Sequence, residues 1–457
     1  MKPEVERMKT CTVEQHRNRI RNINEAENSV KSCLRRKRIQ DYLFGQCSYY
    51  LGDYPAKFNM EPTRYDYEML KDMAENGVQL IQLHEDWNDS ARLYGGDKFS
   101  SFDPEGLKHF VALAHSFGIK VIPYVSSGYF HVYDPDFREE FAQTERYCMN
   151  ALHFKYRRCS AGSAEWRSYV LPRTLDVLNE YGFDGIYNDW GTDSTYIMDK
   201  PLQKPGLGYY DPEIEDLLSI IYGEVKKRGG VYKLHCDRDD PAPCLDKVYD
   251  YLWIGEWVKD MKIGVGKTFE DFVVPCPDFA RSVDGSMESH FIKAIPFLQF
   301  PLLLRGRPNM GNHLDLPHVK YYGEEFEGSD AWFIRRVRKY MDENPNGPYV
   351  YSLWSSLGED DAYYEMWKKY QKLYAPMVED ASVAYLEIRE CDDILSKLPE
   401  KVIASMFVNE ERYLVISNLS DAAYDLQLKD VWVDRETEKE GKQFTIQPGK
   451  ALFLRLK

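Results

Sequence analysis

The chain reads as an α/β protein: a (β/α)8 TIM barrel followed by a small C-terminal antiparallel β domain. Three observations predict this. From about residue 41, short apolar stretches alternate with longer amphipathic ones, the signature of repeated βα units around a parallel sheet. Several of the apolar stretches end on acids, as the strands of a barrel do where they reach its active face. After about residue 381 the pattern turns into short strand-like segments separated by polar turns. A length of 457 residues fits a large barrel with a further domain.

Residues 1–40 are polar and helix-prone and carry no strand signal, so they are read as a helical lead-in. Within them, Arg35-Arg36-Lys37-Arg38 is read as a solvated helix end. The barrel is assigned to 41–380. Its strand candidates are 42–50 (YLFGQCSYY), 77–87 (GVQLIQLHEDW), 118–128 (GIKVIPYVSSG), 183–189 (FDGIYND), 231–237 (VYKLHCD) and 248–257 (VYDYLWIGEW). The seventh is sought near or within 295–306 (IPFLQFPLLLRG), a run that equally suits a helix, and the eighth at 349–356 (YVYSLWSS).

The segments between them carry helical spacing. In 104–118, Leu107, Phe110, Val111, Leu113 and Ala114 are read as one face, Pro104 suits the first turn and Gly118 the C-terminal cap. In 164–182, Leu171, Leu175 and Leu178 line up and Gly182 stops the helix; Pro172 requires a kink or a start one turn later. The helix over 211–230 opens on Asp211 and closes on cations and glycines. Residues 381–457, with strands at VIASMFVN, RYLVISN, YDLQLK, QFTIQ and ALFLRLK, are read as a β-sandwich-like domain.

Composition narrows the function. A formal charge of −15 argues against nucleic acid or an anionic membrane as partner. No apolar run approaches the roughly 20 residues of a membrane helix. The nine cysteines are scattered and never spaced C-x-x-C, which argues against a disulfide framework or zinc ribbon and for a reducing compartment. The charged N-terminus lacks the apolar core of a signal peptide, so a cytoplasmic protein is expected. The 34 tyrosines, with nine tryptophans, suit sugar-binding clefts as well as ordinary cores.

The strand ends carry the chemistry. They read His84-Glu85-Asp86-Trp87, Asn188-Asp189-Trp190, His235-Cys236-Asp237 and Glu256-Trp257. Paired carboxylates beside aromatic platforms are what glycoside hydrolysis needs: one attacks the anomeric carbon, the other protonates the leaving oxygen and then activates water. Asp189 directly follows an apolar strand, and the next helix begins about twenty residues later, so helix capping accounts for it poorly. Asp189 and Glu256 are the candidate catalytic pair. Asp86, Trp87, Asn188, Trp190, His235, Asp237, Trp257 and Arg305 are the candidate substrate-binding residues. Asp237, Asp284 and Glu288 are alternatives for the acid/base, the last two in a polar cluster with His290 that also suits a helix start.

These stretches resemble the retaining α-galactosidases and their α-glycosidase relatives. LIQLHEDW, AHSFGIKVIPYV, LNEYGFDGIYNDWG and DYLWIGEW carry the resemblance, over roughly residues 75–310. It implies a nucleophile at the end of strand four, here Asp189, and an acid/base at the end of strand six, here Glu256. It also implies a sugar-binding acid and aromatic after an early strand, here Asp86 and Trp87. The chain departs from the family at Tyr187, where a lysine is usual, and at Glu256, where the usual acid/base is aspartate.

The reading that follows is hydrolysis of a terminal α-linked sugar by two carboxylates with retention, with a carbohydrate as partner and no cofactor, metal or particular oligomer predicted. One alternative is a metal-dependent hydrolase drawing ligands from His84, Glu85, Asp86, His235, Cys236 and Asp237, although no H-x-H or H-E-x-x-H motif is present. Another is a non-catalytic sugar-binding barrel. The stretch MKIGVGKTF (261–269) ends like a P-loop but has Met261 at the first glycine position and is rejected as one.

Overall fold

The computed structural model describes residues 11–51, 60–84, 87–88, 99–101, 103–132, 134–151, 154–189, 211–235, 246–255, 272–276, 287–307, 361–379 and 382–457. Helix α1 (Val13–Ser29) opens on a capping box in which Thr12 and Gln15 satisfy each other's backbone N–H groups. Strand β1 (Val30–Ile39) follows it directly.

The barrel strands are β2 (Gln46–Tyr50), β3 (Leu80–Leu83), β4 (Lys120–Ser126), β8 (Gly185–Asp189), β9 (Val231–His235), β10 (Tyr251–Gly255), β11 (Phe272–Cys276) and β12 (Leu303–Gly306). They form a parallel eight-stranded sheet in the order β11-β10-β9-β8-β4-β3-β2-β12. Leu302 N–H donates to Pro275 O at 2.8 Å and links the two ends of that order. A small antiparallel sheet of β5 (Tyr129–His131), β6 (Ala142–Ala151) and β7 (Phe154–Cys159) is inserted after β4. The expected fold class is found.

Strands one to six lie inside their predicted stretches. The seventh does not: it is β11, a segment the sequence reading passed over. The run 295–306 ends in the eighth strand, β12, which pairs in parallel with β2. The stretch 349–356, expected as the eighth, lies outside the described residues, as does 261–269.

Helices α2 (Arg64–Glu75), α3 (Pro104–Ser116), α4 (Ala164–Glu180), α5 (Pro212–Lys227) and α7 (Asp361–Val378) accompany the barrel strands, with the short α6 (Glu288–Ala294) before β12. Pro104 and Asp211 stand in the first turn and at the cap as the sequence predicts, whereas α6 has Met287 at its N-cap and no side-chain cap. Asp103 accepts from Gly106 N ahead of Pro104, and Asp211 accepts from Glu213 and Ile214 N. Pro172 sits within α4, which begins at Ala164 under a Ser163 cap. Gly182, at φ +78°, ends that helix, and Gly185 opens β8. A Cβ at Gly185 would stand 1.8 Å from Val231 O, so only glycine allows β8 to approach β9 here. Asp184, between them, accepts from Val121 N at 2.7 Å and pins the strand to β4.

The C-terminal strands are β13 (Val383–Cys391), β14 (Val402–Val408), β15 (Arg412–Asn418), β16 (Tyr424–Asp434), β17 (Glu440–Ile446) and β18 (Lys450–Leu456). They join β1 in one antiparallel sheet, β1-β13-β14-β15-β18-β16-β17, rather than the two sheets of a sandwich. The link is β16: it pairs with β17 at Tyr424–Gln427 and, past an irregularity between Gln427 and Trp432, again at Trp432 and Val433, where its other edge pairs with β18 and so joins all the strands into one sheet. One face of the sheet (Tyr385, Phe407, Val415, Phe453) joins the barrel core, and the other (Leu386, Met406, Leu414, Leu454) packs with Ile23 and Ala26 of α1. Burial on both faces explains why β14 reads as a run of apolar residues broken only by Ser405.

The lead-in is therefore helix only to Ser29. Residues 30–39 become the sheet's edge strand because β13 offers them a ladder, from Val30↔Cys391 to Ile39↔Val383. The basic run is not a solvated helix end. Arg35 lies within a nearly dry niche, 3.6 Å from Glu387, donates to Phe297 O at 2.6 Å and stacks over Tyr385.

Candidate active site

Paired residues in adjacent parallel strands point to the same side of the sheet. The rings of Tyr50, His84, Tyr124, Tyr187, His235 and Trp253, from six different strand segments, meet one another and so mark the barrel interior. Asp189 shares that side with Tyr187, two residues earlier.

Asp189 ends β8 and is 7 % exposed. His235 Nδ1 lies 2.5 Å from its Oδ1, while Oδ2 accepts from the hydroxyls of Tyr124 (2.9 Å) and Tyr129 (3.3 Å). The two tyrosine hydroxyls also lie within hydrogen-bond reach of each other, so with one proton apiece at most two of these three contacts are made at once. Each carboxylate oxygen has two lone-pair sites, so this grip fixes the group without using every acceptor position. Tyr187 lies below, with Trp253 at 5.4 Å and Tyr124 at 5.8 Å between ring centroids. His84 is stacked on Tyr50 at 5.0 Å. His235 packs against Trp253 at 4.1 Å.

Two of the predicted substrate-binding residues serve as braces. Asn188 alternates with Asp189 and so faces outward. Its Oδ1 accepts from Ser127 N (2.9 Å), and its Nδ2 donates to Ser127 Oγ and Tyr232 OH (both 2.8 Å). That clamps the turn which delivers Tyr129 to Asp189. Trp87 is fully buried between Tyr181 and Phe183, and its Nε1 donates to Tyr124 O at 2.7 Å. The indole therefore supports the strand that carries Tyr124 and is not a platform for a sugar. Trp87→Phe removes a buried hydrogen bond and is expected to lower stability by about 1–3 kcal/mol, measured by urea unfolding.

Arg305 also departs from expectation. Its register partner is Tyr49, whose hydroxyl reaches Asp66 of α2 on the outside of the barrel. Arg305 lies over the ring of Tyr364 in α7, 4.8 Å from its centroid, and so belongs to the helix layer rather than the cavity. Glu288 sits at the contact with the C-terminal sheet, bonded to Lys450 (2.5 Å) and Tyr370 (2.9 Å), which removes it from the acid/base candidates. Burial raises its pKa, but the Lys450 and Tyr370 hydrogen bonds and the Lys450 and Lys369 charges outweigh this and hold it below the usual range. His290 is buried in the same helix. Asp86, Trp190, Asp237, Glu256, Trp257 and Asp284 lie outside the described residues.

Sequence reasoning missed Tyr124, Tyr129, Tyr187 as pocket floor, and Lys233. Alternation along β4 was the available signal for Tyr124. Lys233 lies in β9, paired in register with Tyr187, and is completely buried. Its Nζ has no hydrogen-bond partner among the described residues. Burial lowers its pKa to about 7, against small opposing contributions from Cys276 and Cys47. Among the described residues, no group of three His, Cys, Asp or Glu side chains could hold a metal ion.

This arrangement, a gripped carboxylate at the C-terminal end of the fourth strand of a barrel, can be set beside known structures. The chain is similar to an α-amylase from Anoxybacillus (TM-score 0.55, 11 % identity, 91 % of this chain and 99 % of that one). It is similar to an α-amylase from Geobacillus thermoleovorans solved with acarbose (TM-score 0.54, 12 % identity, 92 % and 99 %). A trehalose-6-phosphate hydrolase from Bacillus licheniformis is a third (TM-score 0.51, 13 % identity, 91 % and 99 %). The fold is an α-amylase-type barrel with a C-terminal β domain. At these identities the likeness is one of fold. No sequence-family model and no curated protein matches the chain.

Proposed function

We propose that this protein is a glycoside hydrolase that removes a terminal α-linked sugar with retention, using Asp189 as nucleophile and Glu256 as acid/base. The observation that carries the reading is the Asp189 carboxylate, held by His235, Tyr124 and Tyr129 at the C-terminal end of β8. The α-amylase-type fold supports it, since the neighbours named above are glycoside hydrolases and one was solved with acarbose. Those neighbours do not favour galactose, so the resemblance to α-galactosidases is carried no further than an α-linked sugar.

In the first step an Asp189 oxygen attacks the anomeric carbon as the glycosidic C–O bond breaks, and Glu256 gives its proton to the departing oxygen. In the second, Glu256 takes a proton from water, which attacks the same carbon and releases Asp189. Glu256 is the residue after Gly255, the last of β10, two strands along the sheet from β8. Aryl α-glycosides with good and poor leaving groups test this role. Glu256→Ala is expected to lose about 10²- to 10⁴-fold on the poor leaving group and much less on the good one. Azide is expected to restore turnover on the latter, giving a glycosyl azide of unchanged anomeric configuration. Full activity of Glu256→Ala on the poor leaving group would move the acid/base elsewhere.

A further inference from the structure

Beside the Asp189 pocket stands a guanidinium that no carboxylate among the described residues neutralises. Arg158, in β7, lies directly opposite Tyr129 of β5 in antiparallel register. Side chains of such a pair leave the same face of the sheet with Cβ atoms roughly 5 Å apart. Tyr129 sends its hydroxyl to Asp189. Its face also carries Tyr156 and His131, whose rings pack together with that of Tyr129. The opposite face is turned to α4, with Phe130 against Trp166 and Tyr169. Arg158 thus projects on the side that reaches the barrel mouth.

Arg158 is 4 % exposed, and its Nη1 has no hydrogen-bond partner among the described residues. Other arginines behave differently. Its neighbour Arg157, on the other face, pairs with Glu139; Arg167 pairs with Asp216 and Arg307 with Asp66. An arginine does not shed its charge on burial as a lysine does, and an uncompensated buried charge costs several kcal/mol. A planar fork of N–H donors in a sheltered place beside a reacting centre matches the two oxygens of a carboxylate or phosphate.

We propose that Arg158 forms a subsite for an anionic group carried by the sugar, so that the preferred substrate is a phosphorylated or uronic α-glycoside rather than a neutral one. This rests on the glycoside-hydrolase reading of Asp189. In a protein of net charge −15 such a substrate gains nothing from long-range attraction, so a dedicated cation in the site is what its binding requires.

The test compares p-nitrophenyl α-glucoside, its 6-phosphate and the corresponding α-glucuronide on the full chain. The wild type is expected to favour one of the anionic substrates in kcat/KM, and which one identifies the group. In Arg158→Met the ratio of anionic to neutral kcat/KM is expected to fall by about 10- to 100-fold, with a smaller fall in Arg158→Lys. Calorimetric binding of glucose 6-phosphate, glucuronate and glucose gives a readout without turnover. Hydrolysis of the neutral glucoside with no preference for either anion would overturn the subsite and leave the hydrolase reading standing. Arg158-dependent binding of an anionic sugar without hydrolysis of any glycoside would do the reverse. Equal losses on neutral and anionic substrates in both variants would reduce Arg158 to a structural role and overturn the proposal.

Discussion

Asp189→Asn is expected to lower turnover of the best α-glycoside by at least about 10³-fold while the protein remains folded. The amide has the size and shape of the carboxylate, so its Oδ1 still accepts from Tyr124 and Tyr129. Its Nδ2 faces His235, whose Nδ1 accepts in the other tautomer. What is lost is the charge and the nucleophilic oxygen. Asp189→Ala is the harsher change, because it strands buried hydroxyl and imidazole groups and adds a folding cost of about 1–3 kcal/mol for each left unsatisfied. A melting curve near wild type with turnover abolished in the Asn variant separates chemistry from support. Retention of sugar binding and of turnover together in Asp189→Asn would contradict any catalytic role.

Lys233→Met is expected to stabilise the fold, by roughly 2–5 kcal/mol at pH 6, from a pKa moved from 10.5 to about 7. Methionine is of similar length and apolar, so it fills the same space without a charge to desolvate. The nearby thiol of Cys47 offers no counter-charge, since burial pushes its pKa up to about 12. The pH dependence gives the sign. Below about 7 the lysine is charged in both states, and the folded protein bears the whole cost of burying it. Between about 7 and 10.5 the folded state has released the proton while the unfolded chain retains it, so this contribution to stability rises with pH. The advantage of Lys233→Met is therefore largest below about 7 and shrinks towards 10.5. Urea unfolding at several pH values measures it. A variant less stable than wild type at pH 6 would mean that Lys233 has a counter-charge in the folded protein.

The barrel was legible wherever a strand was bounded by its own punctuation. GFDGIYND shows its helix stop at Gly182, its close approach at Gly185 and its acidic end at Asp189, and all three are local. β11 was not legible, because FVVPC is five residues long and contains a proline, which reads against a central strand. β12 is four residues within a longer apolar run, and periodicity does not distinguish such a run from helix. β1 was hidden for a different reason: its sequence is basic and polar, and only pairing with β13, some 350 residues away, makes it a strand.

The site was legible in the same uneven way. Asp189 and His235 stand at strand ends, as read from the sequence, and the fold brings them into contact. Asn188 was misjudged because adjacent residues of a strand face opposite sides, so it could not share the pocket with Asp189. Trp87 was misjudged because an indole beside an acid suggests stacking, whereas its depth is set by tertiary packing. Tyr129 comes from a small sheet inserted between barrel strands, and no spacing in the sequence announces that its hydroxyl reaches Asp189.

The central claim is that Asp189 is the nucleophile, and a covalent adduct tests it most directly. The protein is incubated with a fluorinated α-glycoside bearing a good leaving group, digested, and the labelled peptide located by mass spectrometry. The account predicts one sugar attached through an ester to the peptide containing Asp189, and none in Asp189→Asn. A label on a different carboxylate, or turnover with inversion and no adduct, would contradict it.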